Sequence, residues 1–273
     1  MLSSVLVVGL FHLTGCDGGE APVEPPKPEM AAPPTIDLPT LQATAENVAL
    51  VPSPAEMQRA LERNGIAGGL SAMVPERVLK MDISNKDVIA VRTGVALADA
   101  LLTVKDAPPE KLKARLDTVK AGMIALGGGT DISATIDDLT ARIVNNSVSR
   151  DDLIKELDEM HGAIIPEIKF EAGERAVPLL QAGSWLEGSN LVAGAIINAN
   201  SATAGTELLR QPQVADYFIK YVAVEGVGMA PDAVIAQLRT TLTRLKELAS
   251  QPTLSLDDVK EVKSQTDAVL ALL

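Results

Sequence analysis

The chain has little of the residues from which most catalytic and metal sites are built. Its 273 residues include one cysteine, Cys16, and two histidines, His12 and His161. A disulfide, a Cys–His nucleophilic pair, a multi-histidine metal site and a c-type haem attachment therefore lack the side chains they need. We expect no catalytic residue, no metal ligand and no cofactor, and we interpret the protein as non-enzymatic.

Aromatic residues and basic runs are also scarce. Aromatics make up 2% of the chain, whereas apolar residues, mostly Ala, Leu, Val and Ile, make up 47%. This composition favours helices, because sheets prefer β-branched and aromatic side chains. The net charge of −12 repels a phosphate backbone, so we expect no nucleic-acid partner. We interpret Tyr217, Phe218, Tyr221 and Trp185 as core residues, with a partner groove as the alternative.

Two short motifs resemble ligand sites but have simpler explanations. The sequence GGGTD at 127–131 follows a predicted helix rather than a strand, so we interpret it as a helix end and not as a phosphate loop. His161 lies near Asp158, Glu156 and Glu167. We interpret it as a helix-end histidine on a solvated acidic face, with a divalent metal site as the alternative.

The N-terminal stretch MLSSVLVVGLFHLTGC ends a short apolar run at the only cysteine. Leu13-Thr14-Gly15-Cys16 resembles the lipobox of bacterial lipoproteins, in which a peptidase cuts before the cysteine and that residue then carries acyl chains. The resemblance implies a signal peptide over 1–15, a lipidated Cys16 and a lipid anchor in the bacterial cell envelope, facing the periplasm. Asp17 resembles the signal that retains enteric lipoproteins in the inner membrane.

Two other readings of this stretch remain open. The run is an ordinary signal peptide, or a hydrophobic helix whose cysteine is incidental. It is shorter than the roughly 20 apolar residues that a transmembrane helix needs. A lipid anchor would attach the chain to a membrane without such a helix.

Residues 16–40 have the composition of a spacer. The sequence DGGEAPVEPPKPEMAAPPTIDLPT is rich in proline, glycine and acid, and it shows neither helical nor alternating periodicity. Proline restricts the backbone and removes hydrogen-bond donors, so we predict a disordered, extended tether between the lipid and the folded domain.

Residues 41–273 are predicted to form one α-helical domain. Capping residues and apolar positions at helical spacing repeat along this region, and few stretches alternate with period two. We predict an all-α, multi-helix bundle whose helices lie at about 54–64, 85–104, 111–126, 132–144, 151–164, 171–200, 214–224, 231–249 and 255–273.

Two of these helices are apolar almost all round, which predicts that they lie in the centre of the bundle. Their polar interruptions are Arg92, Asp99, Glu187 and Asn190, which we take as a candidate buried polar cluster. Aligning Asp99 with Gly194 also aligns Arg92 with Glu187, which suggests two diverged helical repeats. In that arrangement Arg92 pairs with Glu187, and Gly194 allows close backbone approach near Asp99. The alternative is that Arg92 and Asp99 find other partners.

Two functions are consistent with this reading. The first is a non-enzymatic envelope lipoprotein whose helical domain binds or scaffolds another envelope protein. The second is a helical domain with an internal cavity for a small molecule or a metal. A filled core with an exposed apolar patch favours the first, whereas a solvent-reachable pocket lined by Arg92, Asp99, Glu187 or His161 favours the second.

Overall fold

Eleven helices make up the described part of the chain. The computed structural model describes residues 51–66, 69–173, 175–222 and 232–273, without the side chains of 161–167 and 221, and no strand occurs in these ranges. The all-α prediction is confirmed. The helices are α1 (Pro54–Arg63), α2 (Leu70–Met73), α3 (Lys86–Thr103), α4 (Pro109–Ala125), α5 (Thr130–Val144), α6 (Arg150–Ala172), α7 (Ala176–Ala199), α8 (Ala202–Leu209), α9 (Pro212–Val222), α10 (Ala233–Ala249) and α11 (Leu256–Leu270).

The chain divides into two units, Met1–Ala45 and Glu46–Leu273, and every described residue belongs to the second. The predicted signal peptide, Cys16 and the predicted tether therefore lie outside the described residues. Within those residues, no helix is both long enough and apolar enough to cross a membrane.

Side-chain caps begin several helices where the sequence places them. Ser53 and Glu56 form a reciprocal capping box at the start of α1. The side chain of Asn85 accepts a hydrogen bond from the Val88 amide at the start of α3. At α11, Ser255 accepts from the Asp258 amide in the same way. These bonds satisfy amides that have no partner within the helix, and they define the boundaries that the sequence predicts.

The predicted boundaries are wrong around α6, α7 and α8. One helix continues through Pro166 to Ala172, and the next begins only at Ala176. Gly173 separates them because its φ of 93° lies in the left-handed region, which ends an α-helix. Helices α2 and α8 were not predicted; α8 has 8 residues and is capped by Ser201.

The two apolar helices, α3 and α7, pack against each other in the centre, as predicted. Their backbones approach most closely at two glycines. A Cβ atom on Gly94 would lie 1.9 Å from the Leu180 carbonyl oxygen, and one on Gly183 would lie 2.1 Å from that of Val91. Helix α4 covers the other side of α3, and α11 covers α7. The core therefore surrounds a close glycine contact between two long helices.

Three aromatic residues in α7 and α9 belong to this core or pack against it. Trp185 and Phe218 are buried with their ring centroids 5.7 Å apart, and the Trp185 Nε1 donates to Gln211 Oε1 at 3.0 Å. Tyr217 packs edge-on against Phe218. The core interpretation is confirmed for Trp185 and Phe218, whereas the side chain of Tyr221 lies outside the described residues.

Candidate functional site

Two acidic side chains project from the central helices into the same buried space. Asp99 on α3 is 5% exposed, and Glu187 on α7 is 0% exposed. The cation between them is Arg77, which comes from the non-helical segment that connects α2 to α3. Its Nη2 lies 3.1 Å from both carboxylate oxygens of Asp99 and 2.8 Å from Glu187 Oε2. We call Arg77, Asp99 and Glu187 the acid–arginine cluster.

The acid–arginine cluster contains one cation and two carboxyl groups, so it is neutral only when one acid holds a proton. Burial, and then the charge of Asp99, raise the pKa of Glu187 well above its usual value. Neither oxygen of Glu187 accepts an aligned hydrogen bond from a described donor. Burial also raises the pKa of Asp99, but the charge of Arg77, and then the hydrogen bonds from Glu187 and Arg77, oppose this shift. We therefore assign the proton to Glu187 and the negative charge to Asp99.

A second arginine reaches the same region from α4. Arg115 Nη1 donates to the Thr103 hydroxyl, and that hydroxyl donates to the backbone oxygen of Asp99. Burial lowers the pKa of Arg115, whereas the charges of Asp99 and Asp106 act in the opposite direction. No carboxylate of the described residues forms an ion pair with Arg115, so it is a half-buried cation that no anion contacts directly.

Arg77 and Arg115 both face a cleft of about 510 Å³, which is the size of a small-molecule site. The connecting segment forms one wall, α4 forms the opposite wall, and Asp99 lies at the floor. Solvent reaches the cleft past the exposed side chains of Glu76, Val78 and Lys111. Its lining is Val74, Pro75, Glu76, Arg77, Val78, Leu79, Ala96, Asp99, Lys111, Ala114, Arg115 and Thr118.

The four residues of the predicted polar cluster do not form one group. Asp99, Glu187 and Asn190 are buried, but Asn190 donates instead to Thr266 Oγ1 at 2.8 Å and to Asp267 Oδ1 at 2.6 Å on α11. Arg92 is only partly buried and donates to the backbone oxygen of Lys80 at 2.7 Å. Only Asp99 and Glu187 meet.

The predicted pairing of Arg92 with Glu187 is wrong, because Arg77 occupies the position next to Glu187. The predicted approach of Gly194 to Asp99 is also wrong. A Cβ on Gly194 would meet the terminal methyl of Met73 and the Lys263 side chain, whereas the close approach occurs at Gly94 and Gly183. The two central helices therefore meet in a different register from the aligned one. The internal repeat that suggested the pairing stays a prediction.

Sequence reasoning missed both arginines of the site. Arg77 lies in a stretch without periodicity, and no local pattern shows which helix it contacts. The signal for Arg115 was present, because it follows Leu112 by three residues and precedes Val119 by four, on the buried face of α4. A cation on a buried helical face is a reason to search for a polar site beneath it.

The candidate metal site at His161 lies outside the described side chains. Among the side chains that are described, no group of three or more His, Cys, Asp or Glu residues is placed to hold a metal ion. The GGGTD motif follows α4, and Gly127 has a φ of 99° where the chain leaves that helix. The helix-end interpretation agrees with this backbone.

Comparison of the chain with protein-family models, with curated proteins and with solved structures found no match.

Proposed function

We propose that this chain is a lipid-anchored bacterial envelope protein whose helical domain is a non-enzymatic binding domain, and that its ligand occupies the cleft above Asp99. The observation that carries the proposal is the solvent-reachable cleft of about 510 Å³ between the connecting segment and α4, with ionic groups at its floor. A pocket of this size with a few convergent polar groups in an apolar lining is typical of small-molecule sites.

The structure around the cleft supports this choice. Arg77 is held by Asp99, and Arg92 holds the same connecting segment through the backbone of Lys80. The wall of the cleft is thus attached to α3 at two points, and a preorganised wall lowers the entropic cost of binding. Arg115 presents the donors that its bond to Thr103 does not use.

Fragment binding tests the location of the site. A library of small polar compounds would be titrated into the full chain while methyl NMR signals are recorded. We expect hits to shift methyl signals of the cleft residues Val74, Val78 and Leu79. A library in which no compound perturbs these methyl groups would contradict the proposal.

The lipid anchor is proposed from Leu13-Thr14-Gly15-Cys16, and Asp17 favours retention in the inner membrane. In bacteria that process lipoproteins, we expect the mature chain to begin at Cys16 with a diacyl mass and to partition into detergent. Cys16→Ser should abolish the modification and release the chain or leave it uncleaved. Intact-mass analysis that finds an unmodified thiol would contradict this part of the proposal.

One observation favours a scaffold for another envelope protein as the second candidate function. Phe170, near the end of α6, is 84% exposed although it is a large apolar residue. Aromatic residues are enriched in protein–protein interfaces relative to the rest of the surface. If this candidate is right, Phe170→Ser should weaken association with the partner in envelope membranes, whereas changes in the cleft should not.

A further inference from the structure

We propose that the cleft is a site for a small organic acid: a carboxylate held by Arg115 and Lys111 at one end of the site, on an aliphatic body that contacts the connecting segment. This inference rests on the proposed function and names its ligand class. It is argued from the charges of the cleft, from the shape of the donors and from the apolar lining.

The charges of the cleft do not balance. Asp99, its buried acid, is already bound at both oxygens by Arg77. Glu76, its other acid, has a side chain that is 91% exposed and lies 3.4 Å from Lys111 Nζ. An ion pair so exposed contributes little, because water screens it. Among the described residues, no carboxylate binds Arg115 directly, although the charges of Asp99 and Asp106 act on it, and Lys111 has only the exposed pair with Glu76.

The donors of Arg115 fit an anion that offers two oxygens side by side. A guanidinium presents its N–H groups as a flat fork that matches the two oxygens of a carboxylate or a phosphate. Arg115 Nη1 donates a hydrogen bond to Thr103 Oγ1, and this bond holds the guanidinium in place. The other nitrogens of Arg115 remain for a ligand. Because Arg115 is half-buried, an anion that contacts it is screened less than on an open surface.

The lining favours an organic acid with an aliphatic body over an inorganic anion such as phosphate. Half of the lining residues are aliphatic or proline, namely Val74, Pro75, Val78, Leu79, Ala96 and Ala114. Val78 is 83% exposed, although buried apolar surface would stabilise it. A ligand with an aliphatic body would cover this surface, whereas inorganic phosphate would not. No lining residue is aromatic, so the cleft has no platform on which a nucleotide base could stack.

Probes that differ in one property at a time test this assignment. The full chain would be titrated with hexanoate, hexan-1-ol, hexan-1-amine and inorganic phosphate while the methyl signals of Val74, Val78 and Leu79 are recorded. We expect hexanoate to bind saturably and at least about tenfold more tightly than each of the others, since only hexanoate has both the anion and the aliphatic body. Equal binding of the alcohol, the amine or phosphate would overturn the inference, as would no binding of hexanoate.

Variants separate the role of Arg115 from a general effect of charge. Arg115→Met should weaken hexanoate binding about tenfold or more, and Arg115→Lys should weaken it less. Arg142→Met is the matched control, because Arg142 is bound to Glu156 on α6 and lies away from the cleft. It should leave the affinity unchanged. Equal affinities of the Arg115→Met variant and the original chain would overturn the inference.

Thermal unfolding of each variant would show whether it folds. If Arg115→Met does not fold, Lys111→Met replaces it, because Lys111 is exposed and its loss does not disturb the core. That variant should weaken hexanoate binding about threefold, and an unchanged affinity would again overturn the inference. A neutral or cationic fragment that binds in the cleft as tightly as hexanoate would overturn the organic-acid assignment alone. A cleft that no compound perturbs would overturn the proposed function as well.

Discussion

At the scale of single residues, the acid–arginine cluster is decided by a count of charges. Two buried carboxyl groups face one guanidinium. If both carboxyl groups were ionised, one negative charge would have no cation to pair with, and burying it would cost several kcal/mol. The proton on Glu187 removes that charge. The cluster thereby links the stability of the domain to pH, because the folded state holds a proton that the unfolded chain releases.

Replacing Glu187 with glutamine should remove this dependence on pH. The folded pKa of Glu187 is raised, so its contribution to stability is present at low pH and is lost as the pH rises from about 4.5 toward the raised pKa. Relative to Glu187→Gln, the original chain should lose up to about 1.4 kcal/mol of unfolding free energy per pH unit in that window. Urea unfolding from pH 4.5 to 8 measures the difference. A difference that does not change with pH would contradict the protonated state.

Replacing Arg77 with methionine should leave Asp99 buried without a cation. We expect a loss of about 3–5 kcal/mol at pH 7, and a smaller loss at pH 5, where protonation neutralises the acids. Urea unfolding at the two pH values measures both. Arg142→Met, which breaks a bidentate ion pair that water still reaches, is the control and should cost much less stability than Arg77→Met. Equal losses for the two variants would show that Arg77 does not support the core.

At the scale of helices, the contact between α3 and α7 depends on the absence of side chains at two positions. Gly94 and Gly183 let the two backbones come closer than any Cβ would allow. Both helices are otherwise buried on nearly every side, so neither can move away without disturbing the helices around it. The position of the glycines therefore sets the register in which Asp99 reaches Glu187.

Gly183→Ala should be severely destabilising, because its methyl group would lie 2.1 Å from the Val91 carbonyl oxygen. We expect a loss of about 3 kcal/mol or more. Gly194→Ala on the same helix is the matched control: its methyl group would meet only the movable ends of Met73 and Lys263. It should change stability by less than about 1 kcal/mol, since alanine also favours the helix. Thermal and urea unfolding compare the two, and similar losses would contradict the assigned register.

At the scale of the whole molecule, the proposal combines an anchor, a tether and a binding domain. The compact unit Glu46–Leu273 contains all of the helices described here. Residues 16–40 are rich in proline, glycine and acid, a composition that predicts an extended spacer with little effect on the stability of the domain.

Deleting Glu20 to Pro34 should therefore leave the melting temperature of the domain nearly unchanged. Circular dichroism of the deleted and the intact chain measures this. Gly183→Ala, a substitution inside the domain, is measured in the same assay and shows how far the melting temperature falls when the core is disturbed. If the deletion lowers the melting temperature by many degrees, the segment packs on the domain and the tether prediction is wrong.

The sequence by itself determined the helical class, most helix boundaries and the central position of α3 and α7. These features depend on neighbours a few positions away, such as the caps at Ser53, Asn85 and Ser255 and the apolar content of the two helices. The sequence also shows that each of these two apolar helices contains an acidic residue. Asp99 and Glu187 are indeed buried, as is Asn190.

Only the tertiary structure decided which groups neutralise those acids and where the cleft lies. Arg77 contacts Asp99 from a non-helical segment, Arg115 reaches the neighbouring Thr103 from another helix, and no periodicity along the chain records such contacts. The register of α3 on α7 could not be predicted either, because α7 contains Gly183, Gly188 and Gly194, and of these only Gly183 lies against the backbone of α3. Local patterns depend on short-range forces, whereas ion-pair partners and helix registers are chosen by the packing of the complete core.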